Sequence, residues 1–339
     1  MEKVLVTGGS GYIALHCIAE LLKRGFYVRT SLRTVDRKKE IINSLQKIVE
    51  LKDMLEFCIL DLMEDKGWDK AVQGCTYVMH IASPVVSKGD DENKELIQPA
   101  VQGVSRAIHH SVKHKVKRFI MTSSVAAICQ GYEKNIYDEN DWTDLDSNTI
   151  TNYDISKTKA ERFLWSFIKD LNNNEKIEVC TINPSFVVGP SLSNDIGSSN
   201  IVIKRLLNGL IPFVPKLNLG FVDVKDVAQM HIKAMLSNNA VGKRFILNER
   251  TMWLSDVSKL LNQNGFKAPK YITPNIIVKL LALFDPNVKR IVNRLDIIKN
   301  LNSKQSKVIL GWQPSNIEKS ILDTATQIKN LDNLKNNIL

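Results

Sequence analysis

Cysteine is scarce. The five present (Cys17, Cys58, Cys75, Cys129 and Cys180) are odd in number and show no C-x-x-C spacing, which argues against a disulfide framework and fits a reducing compartment. No stretch approaches the roughly 20 consecutive apolar residues of a membrane span, so no membrane partner is expected. With 16 glycines and 10 prolines the chain is neither fibrous nor disordered in composition. The first strand, expected at about Lys3, leaves no room for a cleavable leader, and a cytoplasmic location is the expectation. Acidic residues are also in deficit, 36 against 46 Lys and Arg, for a net charge of +10. A nucleic-acid partner would need those cations interleaved with aromatic residues. Here they are scattered, and the densest run, Lys113 to Arg118, reads as a solvated helix end before an apolar strand. No nucleic acid is expected.

What is present is an alternation of short β-branched runs with helical patterns. Lys3 to Thr7 (KVLVT) is followed by a glycine-rich turn, then by apolar residues at helical spacing through Ile13, Cys17, Leu21 and Leu22. Gly25 stands where that helix should stop, and Tyr27 to Leu32 (YVRTSL) reads as the next strand. Helices follow near 37–51, 65–73, 94–114 and 152–171, with strands at 55–60, 76–81, 117–123 and 177–183 between them. This order predicts an α/β chain with a doubly wound parallel sheet covered on both faces. Gly, Pro, Ser and Asn loosen the pattern after Pro190. The expected division is a Rossmann domain over 1–188, to which 221–248 returns, and a smaller, mainly helical substrate lobe over 189–339.

The first turn reads Thr7-Gly8-Gly9-Ser10-Gly11-Tyr12-Ile13-Ala14, a G-x-x-G-x-x-A pattern between strand and helix. Small residues there let backbone N–H groups and a helix N-terminus approach a pyrophosphate. Cofactor choice is read at the end of the second strand, where an acid would hold an NAD ribose and a cation the 2′-phosphate of NADP. Arg33 stands there with Arg37, Lys38 and Lys39 behind it, which favours NADP(H). Asp61-Leu62 follows the third strand and His80-Ile81-Ala82-Ser83-Pro84 the fourth, both at carboxyl ends where ligands bind in this architecture. Asp61 could equally cap the next helix, and His80 could be a core residue.

Tyr153 and Lys157 lie four apart and so share one face of the helix that begins there. A nearby ammonium favours a phenolate, so Lys157 is expected to bring Tyr153 toward a useful range for proton transfer. Thr122-Ser123-Ser124 ends the fifth strand about 30 residues upstream. Together these motifs resemble the extended short-chain dehydrogenases/reductases, over nearly the whole chain to Gly311-Trp312-Gln313-Pro314. Within them the chain is most similar to the branch of dihydroflavonol reductases, cinnamoyl-CoA reductases and microbial aldehyde or ketone reductases, through VTGGSGYIA, HIASP, MTSSVAA, YDISK, NPSFVVGP and FVDVKDVA.

The resemblance implies that Ser124 hydrogen-bonds a substrate carbonyl, Tyr153 donates the proton and Lys157 holds tyrosine and cofactor in register. Cofactor contacts are expected from Gly8, Gly11, Tyr12, Ile13, Arg33, Lys38, Asp61, Leu62, Ile81, Ala82, Ser83, Thr122, Tyr153 and Lys157, and from Pro184, Ser185 and Val187. No metal ligands are assigned. Cys129 replaces the asparagine that grips the flavonoid in dihydroflavonol reductases, which argues against a polyphenol. Ala14 stands at the third glycine position, a change the family tolerates.

The expected partner is a small apolar or aromatic carbonyl compound, held near Val85, Val86, Tyr132, Ile211 and Phe213 with Ile128, Phe186 and Phe221 close by. Ile276 to Phe284 could be a pocket wall, a membrane-touching helix or a core helix, and the last is the expectation. Hydroxysteroid dehydrogenases and nucleotide-sugar epimerases share the motifs, but a dehydratase's acidic pair is missing, since Ser124 is followed by Val125-Ala126-Ala127. A non-catalytic NADP-sensing regulator would be expected to lack the Tyr/Lys pair. A monomer or a homodimer is expected.

Overall fold

The computed structural model describes residues 2–84, 93–172, 175–209 and 213–336. Its strands, in chain order, are β1 (Lys3–Val6), β2 (Tyr27–Leu32), β3 (Leu55–Ile59), β4 (Tyr77–His80), β5 (Arg118–Thr122), β6 (Glu178–Pro184), β7 (Phe186–Val188), β8 (Asn218–Asp223), β9 (Lys243–Leu247) and β10 (Arg250–Trp253). The α-helices are α1 (Tyr12–Lys23), α2 (Lys38–Gln46), α3 (Trp68–Val72), α4 (Gln98–Lys113), α5 (Asn152–Asp170), α6 (Asn200–Leu207), α7 (Val224–Leu236), α8 (Leu254–Gln263), α9 (Asn275–Leu281), α10 (Pro286–Val292), α11 (Lys304–Ile309) and α12 (Ile317–Asn336).

Seven strands form one sheet in the order β3-β2-β1-β4-β5-β6-β9, and every pair in it is parallel. Successive residues of a strand face opposite sides, which explains why central strands read as unbroken apolar runs. Val4 and Val6 enter the core shared with α1 and α7, while Leu5 enters the one shared with α3, α4 and α5. Phe119 and Ile120 divide in the same way. Edge strand β3 keeps Glu56 and Ile59 exposed. The order reverses between β1 and β4, so the glycine-rich turn and the loop after His80 meet at the switch point, where ligands bind in doubly wound sheets.

A second sheet, β10-β8-β7, anchors the smaller core, in which Val188, Phe221, Leu206, Leu254, Leu261 and Ile321 are all buried. The strand read at 221 thus belongs to this sheet, and it is α7 and β9 that return to the large one. Trp312 also returns and packs in the α1/α7 core.

Two sequence expectations are corrected. Arg118 is not a solvated cation: at 1% exposure it donates to the carbonyls of Ala234, Met235 and Ser237 and pairs with Glu178. Nor is Ile276 to Phe284 a core helix. Val278 alone among its large apolar residues is buried, and Leu283 and Phe284 are 75% and 85% exposed. No helix among the described residues is long and apolar enough to cross a membrane.

Candidate active site

The first turn is built on steric necessity at two glycines. Gly8 has φ +73, and a Cβ there would come within 3.1 Å of the Ala82 backbone. At Gly9 a Cβ would lie 2.0 Å from the Thr30 hydroxyl. The Thr7 hydroxyl accepts from the backbone N–H groups of Ile81 and Ala82, both at 3.0 Å, and so fastens the two loops of the switch point together. Gly11 then caps α1 with no side chain occupying the helix end. The first N–H groups of α1, with the macrodipole behind them, are left for an anion. Ile13 is partly exposed there, whereas Tyr12 is buried and donates to the Gly189 carbonyl at 2.6 Å. Any cofactor contact by Tyr12 therefore falls to its backbone.

Arg33 stands exposed at the end of β2 with no ion-pair partner among the described residues. Lys38 lies over the Phe57 ring at 5.2 Å, and Arg37 is already engaged by Glu40 at 2.9 Å. Arg33 and Lys38, neither in an ion pair among the described residues, suit a 2′-phosphate. The Asp61 carboxylate accepts from the Met63 N–H at 2.7 Å, so it caps the local turn. Leu62 beside it packs where α4 has Gly103, against which a larger residue would lie 2.8 Å away. Ala82 and Ser83 line the turn after β4 and are partly exposed.

His80 is a core histidine: it is 2% exposed, hydrogen-bonds Thr7 at 3.1 Å and stacks on Phe119. Burial pushes it down to about 3. The Thr122 hydroxyl is likewise committed inward, to His231 at 2.7 Å. Pro184 ends β6 at the same edge, Ser185 follows it and donates to the Leu247 carbonyl, and Val187 is 4% exposed within the core.

Helix α5 begins with a capping box. The Thr151 side chain accepts from the Asp154 N–H, and the Asp154 carboxylate accepts from the Thr151 N–H at 2.8 Å. Arg294, from the smaller lobe, closes on that carboxylate at 2.5 Å. The cap fixes the first turn and hence Tyr153. Lys157 follows one turn later, 4% exposed, its Nζ 5.8 Å from the centre of the Tyr153 ring. Ser124, just beyond the end of β5, is near enough to lower the Tyr153 phenol, and its hydroxyl accepts from the Ala126 N–H at 3.1 Å.

Electrostatically the pair departs from expectation. Burial raises the Tyr153 phenol above its ordinary value, against the Ser124 hydrogen bond and the more distant Arg294, which lower it. Burial also brings Lys157 down to about 8, with Glu161 opposing. Desolvation penalises both charged forms and is the largest influence on each. A phenol that keeps its proton at neutral pH suits a donor.

Sequence reading missed the support beneath these groups. Glu161, wholly buried one turn beyond Lys157, accepts from Ser123 at 2.6 Å and Asn183 at 2.8 Å, and pairs with Arg244 at 2.7 Å. Asn183 also donates to the Ser124 carbonyl at 3.3 Å. Arg244 lies over Trp142 at 3.8 Å. The signal available was the spacing Tyr153, Lys157, Glu161, which keeps one helix face.

Of the expected pocket residues, Val85, Val86 and Ile211 lie outside the described residues. Tyr132 and Phe186 are partly exposed, and Phe213 is half exposed. Ile128 and Phe221, at 0% and 1% exposure, are core instead.

Comparison with known proteins agrees with this fold. The family profile described as "3-beta hydroxysteroid dehydrogenase/isomerase family" matches residues 5–263. A cinnamoyl-CoA reductase of Medicago truncatula is 37% identical over 267 residues, covering 77% of this chain and 80% of that protein. An NADPH-dependent methylglyoxal reductase of Saccharomyces cerevisiae is 28% identical and covers 96% of this chain and 97% of its own. The crystal structure of yeast methylglyoxal/isovaleraldehyde reductase complexed with NADPH superposes with a TM-score of 0.81 at 25% identity, covering 98% of this chain and 99% of that one. The chain belongs to the 3-beta hydroxysteroid dehydrogenase/isomerase family, among the extended short-chain dehydrogenases/reductases.

Proposed function

We propose that this chain reduces a small apolar or aromatic aldehyde or ketone, with Tyr153 as the proton donor. The chain is an NADP-dependent oxidoreductase. The observation that carries the finer reading is the convergence of Ser124, Tyr153 and Lys157 on the edge where the uncapped end of α1 opens.

The residues fit NADPH. Gly8 and Gly11 allow close backbone approach, the α1 terminus suits the pyrophosphate, and Arg33 and Lys38 suit the 2′-phosphate. When bound, the reduced nicotinamide supplies hydride to the carbonyl carbon. The chain's own residues do the rest. Ser124 donates a hydrogen bond to the carbonyl oxygen as negative charge grows there, and Tyr153 delivers its proton to that oxygen. Lys157, as an ammonium, steadies the phenolate left behind and holds the cofactor ribose. Glu161, Asn183 and Arg244 keep Ser124 and α5 in register. The two lobes, 1–188 with its returning segment and 189–339, are the natural walls of the substrate cleft.

Phe186, Tyr132 and Phe213 favour an apolar or aromatic substrate, as do relatives named for methylglyoxal, isovaleraldehyde and cinnamoyl-CoA. A hydroxysteroid dehydrogenase is the second reading, favoured by the name of the family profile. Both are tested by following NADPH absorbance over a panel containing methylglyoxal, isovaleraldehyde, aromatic aldehydes, diketones and a ketosteroid, with NADH in parallel. Consumption of NADPH with the aldehydes and little with NADH is the expected result. Turnover of the ketosteroid alone would favour the second reading, and silence despite measurable NADPH binding would overturn both.

A further inference from the structure

Helices α3 and α4 meet through a different set of side chains. His110, in the last turn of α4, and His114, its C-terminal cap, are four apart and therefore share one face. Both turn a ring nitrogen to the same oxygen of Asp69 on α3: His110 Nδ1 at 3.0 Å and His114 Nε2 at 2.9 Å from Oδ1. The three ligand atoms lie within 4.8 Å of one another, and among the described residues no other group of three or more His, Cys, Asp or Glu side chains converges in this way.

We propose that Asp69, His110 and His114 form a binding site for a late first-row divalent cation such as Zn²⁺, clipping α3 to α4. Metal–ligand bonds of about 2.0–2.1 Å around a tetrahedral ion put neighbouring ligand atoms about 3.4 Å apart. The observed nitrogen-to-oxygen distances need to open by only about 0.4 Å to admit it. Two imidazoles and one carboxylate select zinc, nickel, cobalt or copper over calcium or magnesium, which demand oxygen ligands. Three protein ligands leave at least one position to water.

Two neighbours prepare the site. Trp68 stacks on the His110 ring with an interplanar angle of 19°, which limits the ring's freedom. Lys113 takes the other carboxylate oxygen, Oδ2, at 2.8 Å, so Oδ1 remains the shared one. The Asp69 carboxylate is half exposed and the two histidine side chains about one-fifth exposed, so an ion reaches them without unfolding anything. Sequence spacing alone shows only the histidine pair, because the third ligand lies 41 residues from His110 and the fold brings it across. Trp68 also donates to the Asp61 carbonyl at 3.2 Å, so the clip braces the loop after β3.

The test is calorimetric titration of Zn²⁺ into the full chain, freed of any affinity tag and treated with chelator, together with the visible spectrum of the Co²⁺-loaded protein. One ion per chain, the intense absorption of tetrahedral Co²⁺ and a raised Tm are expected. His114→Ala and Asp69→Asn should each weaken binding at least about tenfold. Lys113→Ala, which removes a competing cation, should leave binding intact or tighten it. All of these positions are partly exposed, and circular dichroism of each variant checks its fold. His110→Ala, where the Trp68 contact is also lost, is needed only as a confirmation. Absence of binding, or binding that survives both His114→Ala and Asp69→Asn, would overturn the proposal.

Discussion

The Ser123 hydroxyl donates to the Glu161 carboxylate across 2.6 Å, deep in the protein. Through that bond the end of β5, where Ser124 stands, is fastened to the helix that carries Tyr153 and Lys157. The same carboxylate pairs with Arg244, itself buried, and accepts from Thr181 at 2.9 Å. Tyr153, Lys157 and Ser124 are thus held by one buried charge network.

Removing one partner of such a network leaves an uncompensated charge. Glu161→Ala is expected to lose about 3–5 kcal/mol of stability in urea denaturation. Glu161→Gln, which keeps the shape and some hydrogen bonds, should lose less and lower kcat more than it raises KM. A Glu161→Ala protein as stable as the parent would contradict the network's role.

Gly9 and Gly11, two of the three glycines of the first turn, should differ in tolerance. Gly9→Ala drives a methyl group to 2.0 Å from the Thr30 hydroxyl, which is buried and hydrogen-bonded to the Val6 carbonyl, so NADPH binding and stability should fall together. At Gly11 the nearest atom is the Gly8 carbonyl at 3.1 Å, and Gly11→Ala should mainly weaken NADPH binding by narrowing the approach to α1. Equal effects in a fluorescence titration and a thermal melt would count against this geometry.

Three buried histidines make the fold acid-labile. Burial lowers His80 to about 3, and His16 and His231 to about 4. An unfolded histidine titrates near 6.5, so the unfolded chain takes up protons first as pH falls below that value. The stability these neutral rings contribute is complete above pH 6.5 and is lost progressively toward pH 3–4. Each accounts for about 1.4 kcal/mol per pH unit within the window, or about 2 kcal/mol at pH 5. Urea midpoints at pH 7.5 and pH 5 check this; equal midpoints would refute it.

Lys157 should set the alkaline limb of the rate profile. Its ammonium, brought down to about 8 by burial, is present below that pH and lost above it. The value of kcat/KM is expected to fall about tenfold per pH unit beyond the limb, and a profile flat to pH 10 would remove Lys157 from the mechanism.

Much of this was legible in the sequence. Fully buried strands announce themselves by apolar centres such as Phe119-Ile120-Met121, and the G-x-x-G-x-x-A turn, Tyr153 and Lys157 sit on local spacings that one helix or one turn fixes. What stayed hidden depends on distant partners. Phe186–Val188 is too short for any period to show, and Arg118 reads as a surface cation until three carbonyls from α7 and its end surround it. Ile276 to Phe284 has the composition of a core helix, and only packing reveals its exposed face. The direction of the Tyr153 shift was missed because burial cannot be read from the Y-x-x-x-K spacing.

The most direct test of the account is Tyr153→Phe, which removes the proposed proton donor while keeping the aromatic ring. NADPH-dependent reduction of the best aldehyde should fall by about 10²–10⁴-fold, while NADPH affinity measured by fluorescence stays within about threefold of the parent. A Tyr153→Phe protein that turns over at the parental rate would contradict the central claim.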